Sequence, residues 1–402
     1  MKQNEQKSLG LVLECIEHAG SISRAAIAKE TDLSRTTVSS AVSHLIDLHL
    51  IQEDDQVVEM QTRGRPGIPI SLTTDEWYAA GATYIDHELL FIMTNLVGQV
   101  VASYAKPVSD GSAETYLSTL AEGFSEFIPQ CPGKLLPLLG VGSPGMIDCG
   151  CVQTASDMGW SKVEISDYLW QKLHMPSTVI NRHWASCLSE YNLSASPDIQ
   201  SQVYVGISTG ICASFIVNGK LFTGSHNGAG EIGHTVVNRD GPVCTCGRRG
   251  CLHAISSENA IIKQVRDYYL EQLGPACKDD ELWNIIRSGQ ELYFDSICRA
   301  AEHDNPVAVR QLRTASLYLG LSIGNLISMF NPQLVVLGGS LIDHGGQFLT
   351  DMIIDSVKEH ASTDALLSVK IKPWSLGRYS AAIGAAHLVL QSKLAILTKQ
   401  SV

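Results

Sequence analysis

Residues 228–234 read Gly228-Ala229-Gly230-Glu231-Ile232-Gly233-His234, and Cys244-Thr245-Cys246-Gly247-Arg248-Arg249-Gly250-Cys251 follows shortly after. One imidazole and three thiols, His234, Cys244, Cys246 and Cys251, make the donor set of a tetrahedral zinc ion. Gly247 and Gly250 let the loop between them wrap around it. Three unrelated reduced thiols are the alternative, because free cysteine is often simply buried. The Cys-x-Cys-x4-Cys spacing beside a histidine favours the metal. Four protein ligands leave no open position, so this zinc is expected to be structural and not catalytic. Cys15, Cys131, Cys149, Cys151, Cys187, Cys212, Cys277 and Cys298 form no comparable cluster, although Cys149-Gly150-Cys151 sets two thiols close together.

On both sides of this region, strands alternate with helices. Leu89 to Val101 holds two apolar runs around the turn Asn95-Leu96-Val97-Gly98. Leu135 to Ile147 passes through Gly142-Ser143-Pro144-Gly145, Val203 to Val217 carries Gly206, Thr209 and Gly210, and Leu334–Leu337 runs into Gly338-Gly339. Helical periods fill Ala254–Leu270, Pro306–Phe330 and Ser380–Ala395. Glycine turns at strand ends in such a pattern predict an α/β architecture with its sites at those turns.

The first seventy residues differ in texture. Leu9, Leu13 and Ile16 recur at helical spacing up to Gly20. Ser23 is placed to cap a short helix from Arg24 to Thr31, with Ile22 and Ile27 as a hydrophobic staple. Asp32-Leu33-Ser34 makes a tight turn, and Ser34 caps a third helix running to about Leu48. Val38, Ala41, Val42, Leu45 and Ile46 line one face of that helix; Thr36, Ser40 and Ser43 face away, with Thr37 and Ser39 on the flanks. Small hydroxyl side chains let a helix approach base edges in the major groove, and Arg35 can reach a phosphate or a guanine. The rival is a plain three-helix bundle, but a merely solvated face normally carries Lys and Glu. Ile51 to Met60 reads as a two-stranded wing turning at Glu53-Asp54-Asp55. Arg63-Gly64-Arg65-Pro66-Gly67 is either a linker or a narrow strip for an A·T-rich minor groove.

Composition sets the outer limits. The chain has 402 residues, 45% hydrophobic and 17% charged, as in an ordinary globular protein of two or three domains. No apolar run reaches the ~18 residues that would span a bilayer. The opening MKQNEQKSLG has no signal-peptide pattern, so a cytoplasmic location with reduced thiols is expected. A net charge of −12 argues against coating nucleic acid non-specifically. Even residues 1–70 hold seven Lys and Arg against ten Asp and Glu, so only their local pattern points to DNA.

At these residues the chain resembles the ROK family, named for its repressors, open reading frames and sugar kinases. The resemblance covers nearly the whole chain. The segment Gly228–His234 with Cys244–Cys251 is similar to the family signature, and Ser143-Pro144-Gly145, Asn331-Pro332 with Gly338-Gly339, and Ala381–Ala386 fall where members have similar segments. The N-terminal Leu33-Ser34-Arg35 and Gly64-Arg65-Pro66 are similar to the family's repressors of sugar genes, whereas its stand-alone kinases lack that domain. The resemblance implies an actin-like (ribonuclease H-like) two-lobed α/β fold behind a winged helix-turn-helix domain, a sugar pocket between the lobes, one structural zinc, and dimers or tetramers. The expected divisions are 1–70 for the DNA-binding domain with its linker, 71–180 with 380–402 for the small lobe, and 181–379 for the large lobe.

The departures favour a regulator over an enzyme. Family kinases hold ATP phosphates with an Asp-x-Gly-Gly-Thr turn; here the corresponding stretch is Thr83-Tyr84-Ile85-Asp86-His87, without glycine. The family's Asn-Asp pair, whose Asp is the general base, reads Asn181-Arg182, and a guanidinium is no base at neutral pH. Losing a general base costs ~10²–10⁴ in rate. By resemblance Asn181, Glu231 and His234 contact sugar hydroxyls, and His253 stands where the family usually has Glu. The expected effector is a sugar or sugar phosphate, and with Arg182 and His253 replacing two acids an anionic one, a sugar phosphate or sugar acid, is the version these residues point to. A pocket read by a protein partner is the alternative. The expected function is a DNA-binding transcriptional regulator, a repressor of carbohydrate-use genes, whose partners are operator DNA, the effector and a second copy of itself.

Overall fold

The computed structural model describes residues 3–54, 68–155, 158–196, 198–273 and 280–395. Its N-terminal part follows the capping pattern. Helix α1 (Gln3–Ala19) buries Leu9, Val12, Leu13 and Ile16. Helix α2 (Arg24–Thr31) begins where the Ser23 hydroxyl accepts the Ala26 N–H at 3.3 Å. Helix α3 (Arg35–Asp47) begins where Ser34 accepts the Thr37 N–H at 3.1 Å, which satisfies one of the orphan amides of a helix start. Val38, Ala41, Val42 and Leu45 of α3 pack with Ile16 and Ile27 in one core.

The wing departs from the sequence expectation. Three short strands, β1 (Ser21–Ser23), β2 (Ile51–Glu53) and β3 (Pro69–Leu72), form a sheet in the order β1-β3-β2. Ile51 pairs with Leu72 and Glu53 with Ile70, so the described partner of β2 is β3, and residues 55–60 of the expected wing lie outside the described residues. Asp54 continues the ladder, donating its N–H to the Pro69 carbonyl at 2.9 Å and accepting the Ser71 hydroxyl at 2.8 Å. The physical reason is burial: Ile70 and Leu72 alternate into the core of the three helices, which β2 alone could not close. Arg63 and Arg65 lie outside the described residues.

The body is built from two five-stranded sheets. The first contains β4 (Trp77–Ile85), β5 (Glu88–Asn95), β6 (Val100–Pro107) and β7 (Lys134–Ser143). A small antiparallel sheet of β8 (Met146–Asp148), β9 (Cys151–Ala155) and β10 (Trp160–Glu164) branches off before β11 (Ser177–Asn181) returns to the main sheet. The first sheet runs β6-β5-β4-β7-β11, with an antiparallel meander on one side of β4 and parallel strands on the other. The second repeats this plan with β12 (Gln202–Ile207), β13 (Ile211–Val217), β14 (Lys220–Phe222), β15 (Leu334–Gly338) and β16 (Lys370–Pro373), in the order β14-β13-β12-β15-β16.

Helices cover the faces. Helices α4 (Ala113–Phe127) and α5 (Ile165–Leu173) close one face of the first sheet around Phe91, Phe124 and Leu169. Helix α6 (Arg182–Ser189) follows β11 directly. The second sheet is covered by α7 (Leu252–Ser256), α8 (Glu258–Tyr268), α9 (Glu281–Arg287), α10 (Phe294–Glu302), α11 (Pro306–Phe330), α12 (Ser340–His360) and α13 (Thr363–Leu366). Helix α14 (Ser380–Gln391) is apolar nearly all round, as a helix enclosed on every side must be. It fills the space between the first sheet, α6 and the N-terminal helices, where Ala382, Ile383, Ala386 and Leu390 join Ala79, Ile92, Leu13 and Ile16 in a shared core.

Candidate functional site

The loop after β14 turns on Gly230, whose carbonyl accepts the Ala213 N–H of β13 at 2.7 Å, and this fixes the entry to Glu231 and His234. His234 meets the three cysteines of the next loop: the ligand atoms of His234, Cys244, Cys246 and Cys251 all lie within 4.8 Å of one another. His234 Nδ1 stands 3.7 Å from Cys244 Sγ, and Cys246 Sγ stands 3.6 Å from Cys251 Sγ. Bonds of ~2.0–2.3 Å to a tetrahedral zinc place ligand atoms roughly 3.5–3.8 Å apart, so the donor set and its spacing fit such an ion. The loop is tight, with Cys244 N–H to Arg248 O at 2.7 Å and Gly247 N–H to Cys244 O at 2.9 Å. The Arg248 backbone N–H, then its guanidinium, bring the Cys246 thiol down to about 6, which favours the thiolate that ligates metal. Cys149 and Cys151 take no part: Cys149 is exposed at the β8–β9 turn and Cys151 is buried in β9.

Beside this cluster lies a cleft of about 310 Å³. Asn181, Arg182, Glu231, His234 and His253 all line it, so residues far apart in sequence meet on one surface. The His234 and His253 rings have centroids 5.7 Å apart, His253 being held by α7, which starts right after Cys251. Asn181 is more constrained than its sequence position suggests. Its Oδ1 accepts the His183 N–H at 2.9 Å and the Trp184 N–H at 3.4 Å as the cap of α6, while its Nδ2 donates to the Gly145 carbonyl at 2.8 Å. Arg182 is half-buried and donates from Nη1 to the Tyr84 carbonyl at the end of β4, 3.1 Å away. Met146 and Thr154, from the small sheet β8-β9-β10, form part of the same wall, and sequence reasoning does not reach them. The turn signal at Cys149-Gly150, both with positive φ, is the available sign of that hairpin.

On the N-terminal domain Arg35, Thr36, Ser39, Ser40 and Ser43 are exposed along α3, and Thr37 is half-buried. The Ser34 hydroxyl lies 2.8 Å from those of both Thr36 and Thr37. Thr36, Thr37, Ser40 and His44 line a groove of about 490 Å³ that α1 borders with Ser8 and Leu9; His44 is an addition to the residues expected from sequence.

Residues 80–392 match the ROK family. The chain belongs to the ROK family. Residues 7–52 match the winged helix-turn-helix DNA-binding domain, so this ROK protein carries a reading head on an actin-like two-lobed body. It is 26% identical to the xylose repressor of Bacillus subtilis, over 96% of each chain. It is 25% identical to the DNA-binding transcriptional dual regulator NagC of Escherichia coli, over 97% of this chain and 94% of that one. Among solved structures, a ROK family transcriptional regulator described as a homolog of the E. coli MLC protein superposes with a TM-score of 0.81 at 24% identity, covering 100% of this chain and 99% of that one. A ROK family glucokinase from Streptomyces griseus, solved with glucose and AMPPNP, superposes with a TM-score of 0.67 at 21% identity, covering 77% of this chain and 98% of that one. Both likenesses establish the fold.

Within this ROK fold, Thr83–Ile85 end β4 and Asp86-His87 make a tight turn into β5, with φ of +49° and +62°. Burial, then the Glu258 carboxylate, push the Asp86 carboxyl above its ordinary value. Nearby, Arg378 Nη2 forms an ion pair with Glu88 at 2.6 Å, and His344 Nδ1 lies 3.7 Å from the Glu258 carboxylate, a contact that is ionic when the imidazole is protonated. No described helix is long and apolar enough to cross a membrane.

Proposed function

We propose that this ROK protein is a transcriptional regulator of carbohydrate-use genes that grips operator DNA with its head and answers to an anionic sugar derivative in the cleft. Arg35, Thr36, Thr37, Ser39, Ser40 and Ser43 meet the major groove, and Arg63 and Arg65 the minor groove. Two heads of a dimer read a palindromic operator. His234, Cys244, Cys246 and Cys251 hold a structural zinc that steadies the loop bearing the cleft face of His234. The chain acts in the cytoplasm, where its thiols stay reduced.

The observation that carries the reading is Arg182. It lines the cleft together with Asn181 and the His234 loop, at the position where the family resemblance calls for a catalytic carboxylate. A guanidinium offers a planar fork to phosphate or carboxylate and cannot accept a proton from a sugar hydroxyl. A glycine-free turn at Thr83–His87 argues against phosphate transfer from ATP. The rival is a body read by a protein partner, and the internal engagement of both the oxygen and the nitrogen of the Asn181 amide favours it.

The test is selection of genomic fragments on the purified chain, followed by titration of the recovered duplex with glucose, glucose 6-phosphate, N-acetylglucosamine 6-phosphate and glucuronate. Release by a phosphate or acid supports the proposal, and release only by neutral glucose defeats its anionic part. Retention of no fragment defeats the regulator. A coupled ATP assay with a hexosamine panel checks the sugar-kinase alternative.

A further inference from the structure

Head and body meet along a seam that the proposed reading leaves without a role. Lys393, just beyond α14, is only 5% exposed, and lysine is almost never buried unless paired. Its ammonium pairs with the Glu17 carboxylate on α1 and donates to the Leu390 carbonyl at 3.0 Å. The surroundings are loosely filled: Leu13 and Ile16 of α1, Leu96 of the β5–β6 turn and Leu390 border a cavity of about 640 Å³. Further polar ties among the described residues lie where the chain itself passes into the body, Trp77 Nε1 donating to Leu48 O at 2.9 Å and Thr73 Oγ1 to His49 O at 2.7 Å. The Glu17–Lys393 pair adds an ionic tie that gives α1 a fixed setting on the body.

The same helix that ends at this pair is joined to the cleft. At its start the Ser380 hydroxyl lies 2.8 Å from that of Ser186, and its carbonyl accepts the Ser189 hydroxyl at 2.7 Å. At Gly384 the backbones touch, for a β-carbon there would stand 1.9 Å from the Ala185 carbonyl oxygen. Helices packed this closely cannot slide independently. Helix α6 opens with Arg182, which faces the cleft and holds the Tyr84 carbonyl. A continuous rigid pair, α6 with α14, therefore runs from the cleft to the head.

We infer that Glu17 and Lys393 are positioning residues through which the state of the cleft sets the orientation of the reading head. The role of a ligand here rests on the cleft function proposed above; the link between Arg182 and the head does not. Spatial continuity alone is not coupling, which appears as non-additivity between two changes.

The experiment uses the full chain and a duplex that the unmodified protein selects from random sequences. DNA affinity is measured for the unmodified chain, Arg182→Met, Lys393→Met and the double variant. Arg182→Met is expected to change the Kd about fivefold or more alone and less than about twofold beside Lys393→Met. Hydrogen exchange in α1, read in the same four proteins without DNA, is expected to show the same non-additivity. Glu17→Gln, on a partly exposed helix face, repeats the cycle should Lys393→Met unfold. Additive effects, or an Arg182→Met chain that behaves as the unmodified one, overturn the inference. Calorimetry with glucose 6-phosphate separates the two claims. Absence of binding removes the ligand from the cleft and leaves the coupling measured by the cycle intact. Binding that releases DNA equally well from the Glu17→Gln protein overturns the pair alone.

Discussion

At Gly230 the backbone has φ of +101°, and a β-carbon would stand 1.8 Å from the Ala213 carbonyl oxygen. Such a conformation costs a non-glycine residue ~1–3 kcal/mol before any clash is counted. Gly230→Ala is therefore expected to displace Glu231 and His234, lower the melting temperature by several degrees and reduce bound zinc. Gly228→Ala, whose β-carbon would meet nothing closer than the His226 carbonyl at 4.0 Å, is the neutral comparison, and metal analysis with thermal unfolding reads both. A second prediction concerns protons. Burial, then Arg182, lower the His183 imidazole to about 3; burial, then Lys393, lower His387 to about 4. Between the ordinary histidine value of ~6.5 and these, the unfolded chain binds protons that the folded chain refuses. Stability therefore falls as pH drops through that window. Urea midpoints of His183→Gln should lose less between pH 7 and 4 than those of the unmodified chain; parallel curves would contradict the assignment. At this scale the cluster of His234 with three cysteines is legible in the sequence, because three of its donors sit within one short loop. The structural work of Asn181 is not, because it depends on the Gly145 carbonyl, distant in sequence.

Among the elements, the three helices of the head are legible from local signals: serines mark the starts of α2 and α3, and Gly20 and the Asp32 turn mark the ends of α1 and α2. Strand β3 is not, since its value lies in pairing Ile70 and Leu72 with residues on the far side of 55–67. The small sheet β8-β9-β10 escapes for a related reason: short strands show their pattern only once paired. The capping of α3 gives the prediction at this scale. Ser34 accepts the Thr37 N–H and its hydroxyl gathers those of Thr36 and Thr37, so one side chain both starts the helix and orders its outward face. Ser34→Ala should cost the head about 1 kcal/mol and weaken DNA binding modestly. Ser34→Asp keeps a cap but sets a negative charge beside the phosphates, so it should restore head stability while weakening DNA binding further. Hydrogen exchange in α3 and fluorescence anisotropy with the selected duplex distinguish the two effects; equal affinity for both variants would place the end of α3 away from DNA.

For the molecule as a whole, the two sheets of matching strand order are legible only through the family resemblance, because strand order depends on long-range pairing that local pattern does not encode. That duplicated plan places the cleft between Asn181 and Arg182 at the end of the first sheet and Glu231, His234 and His253 beside the second. A ligand that touches both sides can shift the lobes only by binding one arrangement better than the other. A hundredfold loss of DNA affinity requires a differential of about 2.7 kcal/mol between the two arrangements. Linkage makes the effect mutual: whatever factor the ligand removes from DNA affinity, DNA must remove from ligand affinity. Titrating glucose 6-phosphate, or whichever sugar derivative releases the duplex, into free chain and into chain saturated with DNA should therefore give dissociation constants in the same ratio as the duplex titrations with and without ligand. A ligand affinity that is the same in free and in DNA-saturated chain would mean that the two binding events are uncoupled, and the cleft between the lobes would lose its place as the origin of the response.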